Sequence, residues 1–122
     1  MESVIVSGNV VQGLQQGRTL GYPTINIAYE GALEARPGVY AARVQVSEGV
    51  GFNGAAIVGG DFSVTQSPKL EIHLLGDTKE QRYGEFVTIE LLAFVSELVR
   101  ISDLVELKNK IENDIVMIRK MF

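Results

Sequence analysis

Hydrophobic and polar residues alternate in short runs over the first two-thirds of the chain and then switch to a helical period. Val4 to Val6, Thr24 to Ala28, Gly38 to Val46, Ala55 to Val58, Lys69 to Leu75 and Phe86 to Ala93 are rich in Val, Ile, Thr and Tyr and predict strands. Tyr40, Ala42, Val44 and Val46 interleave with Ala41, Arg43 and Gln45, and Leu70, Ile72 and Leu74 interleave with Glu71 and His73. That is the signature of strands with one face in a core. The intervals carry Gly, Pro, Asn, Asp and Ser, which tolerate turn geometry. Many short strands with turns between them and no helical period predict a mainly β fold, an antiparallel barrel or sandwich.

The period changes after Ser102. Leu104, Leu107, Ile111, Ile115, Ile118 and Phe122 are spaced 3, 4, 4, 3 and 4 apart, one stripe of an α-helix. Asp103 followed by Glu106 fits a helix start, because a side-chain oxygen accepts from the unpaired amides of the first turn. Lys108, Lys110, Glu112 and Asp114 are expected on the wet face. The pattern predicts a β unit over about 4–94 and a C-terminal helix over about 103–121 that closes one side or end of it.

With 122 residues, one domain spanning 1–122 is expected, since two separate cores would each be too small. The chain carries 11 Lys and Arg against 15 Asp and Glu, a net charge of −4, which argues against a nucleic-acid binder. No apolar run approaches the roughly 20 residues that cross a bilayer, and no secretory leader pattern opens the chain, so no membrane association and a cytoplasmic setting are expected. Cysteine is absent, which excludes disulfides, thiolate nucleophiles and cysteine-ligated zinc. A single histidine, His73, leaves too few nitrogen ligands for a typical zinc site.

The segment with the sharpest chemistry is Gly8 to Asn26, GNVVQGLQQGRTLGYPTIN. Gly8, Gly13, Gly17 and Gly21 punctuate it, and glycines allow positive φ and close backbone approach, so that consecutive amides can converge on an anion. Arg18 adds a fixed cation. Thr24 and Asn26, two apart on a strand, turn their oxygens to one side, and neutral hard oxygens suit Mg²⁺. No Gly-Lys-Ser/Thr follows, so this is not a Walker loop, and no βαβ unit follows that would make it a dinucleotide fingerprint. On pattern alone, a hairpin-rich edge with a polar strand is the better account of the segment.

Gly8-x-Val10-x-x-Gly13 followed by Gly17-Arg18-x-Leu20-Gly21-x-Pro23-Thr24-x-Asn26 resembles the opening signature of the riboflavin kinase family. Pro37-Gly38-Val39-Tyr40, Glu71-x-His73, Tyr83-Gly84 and a closing acidic helix with Leu107 and Asp114 continue the resemblance in order, from about Val4 to Ile118. It implies a six-stranded antiparallel Greek-key barrel with a C-terminal helix. It also implies transfer of the ATP γ-phosphoryl group to the 5′-hydroxyl of riboflavin, giving FMN and ADP with Mg²⁺. Under it, Thr24 and Asn26 bind the metal. The nucleotide is held by the segment containing Gly13, Gly17, Arg18, Leu20, Gly21, Tyr22, Pro23, Thr24 and Asn26. Glu71 takes the hydroxyl proton, and Ser96 to Asp103 border the flavin; His73 is read as structural, because a lone histidine on a strand is ordinarily a partly exposed polar residue. Bacterial relatives often join this fold to an N-terminal FAD synthetase domain, which would be a covalent partner if this sequence is a fragment; 122 residues do not also house it.

The sequence departs from the family pattern after the Phe86 to Phe94 strand, where Ser96 and Ile101 stand in place of an arginine and a phenylalanine. It departs again at Phe62 to Val64, where a Pro-Thr pair is gone. These changes fall on the flavin side and leave open a second reading, a barrel that binds flavin or nucleotide without transferring phosphate.

Overall fold

A computed structural model describes residues 3–12, 21–47, 49–59, 68–77, 82–99 and 101–122. Six strands, β1 (Val4–Val11), β2 (Ile25–Tyr29), β3 (Gly38–Gln45), β4 (Gly51–Gly59), β5 (Lys69–Leu74) and β6 (Phe86–Ser96), precede one helix, α1 (Leu104–Arg119), among the described residues. The strands close into an antiparallel barrel in the order β1-β2-β5-β4-β3-β6. β2 therefore pairs with β5 rather than with β3, which gives the Greek-key crossing. No helix among the described residues is long and apolar enough to cross a membrane.

The period-2 pattern becomes two cores. Val10, Ile27, Tyr40, Ala42, Val44, Val58, Leu70, Ile72, Val87 and Ile89 fill the barrel interior. Side chains of the opposite parity point outward, and where α1 covers them they form a second cluster: Val39, Ala41 and Ala55 with Ile118. Ala41, read from the sequence as a spacer on the outer face, is thus buried beneath the helix. Successive residues of β3 are buried on both faces, so α1 converts a half-buried strand into a fully buried one.

Asp103 caps α1 as its sequence position suggests. Its Oδ1 accepts from the amides of Val105 at 2.8 Å and Glu106 at 3.2 Å, pairing donors that would otherwise have no partner in the helix. The apolar stripe is shorter than its spacing implies. Ile115 and Ile118 are buried, whereas Leu104, at the first helical position, is 66% exposed and Phe122, beyond the last helical residue Arg119, is 42% exposed. Lys110 and Asp114, expected on the wet face, are only 20% and 13% exposed and pair at 2.7 Å.

Gly8 shows why β1 extends to Val11 rather than stopping at Val6. A Cβ at Gly8 would run into the carbonyl oxygen of Ala28 and the Ile27 side chain on β2. The first glycine of the opening signature therefore permits strand-to-strand contact rather than ligand approach. Gly8→Ala is expected to destabilise the barrel by about 1–3 kcal/mol, read as a lowered urea midpoint with an unchanged slope; a midpoint within error of the parent would contradict this close fit.

The far end of the barrel is pinned by Arg82, in the β5–β6 connection. Its guanidinium makes two 2.9 Å bonds to Asp77 and one of 3.1 Å to Glu85, and lies 5.2 Å from the Phe52 ring centroid. Glu85 also accepts from Ser47 Oγ at 3.0 Å, and its carbonyl accepts from Val10 N–H at 2.9 Å. One cation thus ties together the end of β1, the β3–β4 turn and the β5–β6 turn. The Tyr83–Gly84 turn belongs to this pin, with Gly84 at φ 82°, and borders no part of the pocket described next.

Candidate active site

The site lies on the outer wall of the barrel, beneath α1. Alternation on β5 decides which residues reach it: Leu70, Ile72 and Leu74 point inward, so Glu71 and His73 point outward. Asn26 of β2 stands in register opposite Glu71, which puts both side chains on the same outer face. The chain reaches β2 through Gly21, Tyr22, Pro23 and Thr24. Gly21 has φ 84°, a left-handed turn that a residue with a Cβ adopts only with strain. Pro23 stiffens the next step and biases Tyr22 toward an extended backbone.

The approach brings Thr24 against β5. Thr24 Oγ1 donates to Glu71 Oε1 at 3.1 Å, and His73 Nδ1 lies 2.8 Å from the Pro23 carbonyl oxygen. A carbonyl only accepts, so Nδ1 carries the proton. The Tyr22 and His73 rings meet edge to face, centroids 5.6 Å apart at 75°. Burial first, and the Glu112 carboxylate on α1 second, raise the Tyr22 phenol pKa above its ordinary value, with Arg119 pulling it down.

These groups edge a pocket of about 240 Å³. Its floor is Val39, Ala55 and Ile57, its helical wall Leu107, Ile111 and Ile115, and its outer rim Leu98 and Val99. Two polar side chains from α1 interrupt the apolar lining. Lys110 Nζ donates to Asp114 Oδ2 at 2.7 Å and to Ser96 Oγ at 3.1 Å. Chemically, the pocket offers apolar walls for a flat ring body, with a carboxylate and a hydroxyl at one edge.

Tyr22, Thr24 and Glu71 line the pocket together. Pro23 contributes through its carbonyl, Asn26 lies beside Glu71 on the sheet, and Gly21 supplies the turn. Gly13, Gly17, Arg18 and Leu20 lie outside the described residues, as do Phe62 to Val64. The 96–103 stretch reaches the pocket through Leu98 and Val99. Three polar lining residues were not expected at the site from the sequence: His73, taken as structural, and Lys110 and Asp114, taken as solvated. The signal for the last two was present, since positions 110 and 114 follow Leu107 by three and seven residues and so share its side of the helix.

The residues that could hold a metal are the Thr24 hydroxyl and the Asn26 amide oxygen, next to Glu71. No group of three or more His, Cys, Asp or Glu gathers among the described residues. The donor set is hard and oxygen-only. It fits Mg²⁺, which takes few protein ligands and completes its shell with water and phosphate oxygens.

Comparison with known proteins identifies the family. Over residues 1–122 the chain matches the Flavokinase family model, described as riboflavin kinase. It is 31% identical over 118 residues to a bifunctional riboflavin kinase/FMN adenylyltransferase of Haemophilus influenzae, covering 96% of this chain and 38% of that protein. The chain thus spans well under half the length of that relative. A riboflavin kinase structure from Trypanosoma brucei superposes with a TM-score of 0.76 at 22% identity, over 99% of this chain and 80% of the other. A Streptococcus pneumoniae structure described as a macrolide-efflux protein gives 0.83 at 24% identity, over 94% of this chain and 38% of that one. At such identities the two structures speak for the fold alone. The match of the family model along the whole chain carries the assignment: this chain belongs to the riboflavin kinase family.

Proposed function

We propose that the chain catalyses transfer of the γ-phosphoryl group of ATP to the ribityl 5′-hydroxyl of riboflavin, giving FMN and ADP, with Glu71 as the base and Thr24 and Asn26 as ligands of Mg²⁺. The observation that carries this reading is the Glu71 carboxylate, positioned by the Thr24 hydroxyl at 3.1 Å on the edge of a pocket with apolar walls. The flat rings of riboflavin suit the walls formed by Val39, Ala55, Ile57 and Leu107, and their burial there is favoured by removal of apolar surface from water. The ribityl chain then leads toward Glu71.

Phosphoryl transfer asks for alignment, neutralised phosphate charge and a destination for one proton. A bond forms between the 5′-oxygen and the γ-phosphorus while the bond from that phosphorus to the ADP oxygen breaks, and the hydroxyl proton passes to Glu71. A base acts by position first and pKa second, and Glu71 is positioned by a rigid strand, by its register with Asn26 and by Thr24. Mg²⁺, when bound, neutralises phosphate charge and orients the phosphates. The segment from Gly13 to Gly21 is read as the nucleotide cradle, with Arg18 contacting phosphate.

FMN is the substrate of the second activity in the name of the H. influenzae relative, an adenylyltransferase. We read an FAD-synthesising unit, attached or separate, as the consumer of this product. Dependence on ATP argues for a cytoplasmic setting.

Thr24→Ala is expected to raise the Mg²⁺ concentration needed for half-maximal FMN formation by about 10–100-fold, measured by titrating the metal at saturating ATP and riboflavin. An unchanged metal requirement would remove Thr24 from the metal site. Saturable riboflavin binding by fluorescence quenching, with no turnover at any nucleotide or metal concentration, would instead identify a binding module, the reading that the Ser96 and Ile101 departures favour.

A further inference from the structure

We infer that His73 is a positioning residue: by holding the Pro23 carbonyl it fixes the Thr24 hydroxyl against Glu71 and so sets the geometry of the transfer. The inference rests on the roles proposed above for Thr24 and Glu71. Its basis is the chain of contacts His73 Nδ1 to Pro23 O at 2.8 Å and Thr24 Oγ1 to Glu71 Oε1 at 3.1 Å. Both ends of that chain are anchored on β5, two residues apart.

The intervening link is stiff. The peptide unit from the Pro23 Cα to the Thr24 Cα is planar, so capturing the Pro23 carbonyl orients the whole plane and with it the Thr24 Cα–Cβ bond. Thr24 is β-branched, with few χ1 states, so orienting the backbone largely orients the hydroxyl. Besides the contact of the Tyr22 phenol with the Glu112 carboxylate on α1, the two residues before Thr24 meet β5 through His73. Pro23 has no N–H to bond β5, and Tyr22 is engaged edge to face with the His73 ring itself. Thr24 precedes the first residue of β2, Ile25, so it lies just before the stretch that ladder pairing holds. On the β5 side His73 supplies the constraint: one donor for the carbonyl and an edge-to-face ring contact for Tyr22.

The His73–Pro23 bond is solvent-exposed, and exposed hydrogen bonds contribute little to net stability. Its loss is therefore expected in the chemistry and not in the melting temperature. Small misplacements of reacting groups cost up to about a hundredfold in rate.

The test compares His73→Phe, which keeps a ring for Tyr22 but has no donor, with His73→Asn, whose side-chain amide can donate to Pro23 O. Riboflavin, ATP and Mg²⁺ serve as substrates, and rates are taken per folded molecule. His73→Phe is expected to lower kcat by about 10–100-fold, with KM for riboflavin within about threefold and Tm within a few degrees of the parent. His73→Asn is expected to recover most of that loss. The double variant His73→Phe/Thr24→Ala should fall no further than Thr24→Ala alone, because a group acting through Thr24 adds nothing once the hydroxyl is gone. A parental kcat in His73→Phe, equal losses in both single variants, or additive losses in the double variant would each overturn the inference. Glu71→Gln, assayed in parallel, separates the two levels. Full activity there removes the base whatever His73 does, whereas impaired Glu71→Gln beside intact His73→Phe sinks the positioning role alone.

Discussion

Glu71→Gln is expected to lower the rate of FMN formation by about a hundred- to ten-thousandfold, the range typical of removing a positioned general base. Glutamine keeps the length of the side chain, and its amide oxygen still accepts from Thr24 Oγ1, so the local geometry survives. What is lost is the capacity to take a proton. Affinity for Mg-nucleotide should therefore stay within about threefold of the parent, since the only substrate group assigned to this base is the acceptor hydroxyl and its bond to Thr24 is kept. Chromatographic measurement of FMN, together with calorimetry of nucleotide binding, separates the two quantities. Turnover at the parental rate would show that Glu71 is only the polar face of a half-buried strand.

The largest expected effect on stability lies far from that chemistry. Arg82→Met is expected to cost about 3–5 kcal/mol, because it leaves the carboxylates of Asp77 and Glu85 partly buried without their cation. Arg82 is 6% exposed, and methionine fills much of its volume, so the loss reflects charge rather than a cavity. The Asp77 hydrogen bonds chiefly raise the Arg82 pKa still further above its ordinary value, overcoming the opposing effect of burial. Arg82 thus stays charged throughout the accessible pH range. In a domain of about this size such a loss lowers the melting temperature by on the order of 10–20 °C or more. A change under about 1 kcal/mol would mean that the cluster behaves as a solvated surface network.

Much of this fold can be read from local patterning, and the exceptions share a cause. Each predicted strand run falls on an observed strand, because alternation on β3 and β5 reports directly which face meets the barrel core. β1 and β4 run longer than predicted, Val4–Val11 and Gly51–Gly59, and both extensions take in a glycine, Gly8 and Gly54. They are in-strand glycines where a neighbouring strand passes close: a Cβ at Gly54 would crowd the His73 carbonyl oxygen at 3.1 Å. Closure of the barrel and the β2–β5 pairing are long-range choices that no local window contains, and there the family resemblance did what periodicity could not.

Legibility of the site follows the same division. Thr24 and Glu71 were identified through a motif, and the structure brings the two into contact. His73 was set aside because a histidine on the polar face of a strand is ordinarily solvated; its role emerges only when the Pro23 carbonyl is carried 50 residues across the chain to meet it. Lys110 and Asp114 were assigned to water because they are charged, although their positions fall on the inner side of α1. Where a helix covers the mouth of a pocket, charge and helical phase make opposite predictions, and here the phase was the better guide.

The central claim is tested most directly by incubating the protein with riboflavin, ATP and Mg²⁺ and resolving the flavins by chromatography. The account predicts FMN accumulating in step with ADP, with both ceasing when Mg²⁺ is withheld. A folded protein that binds riboflavin yet forms no FMN with ATP and Mg²⁺ would contradict it.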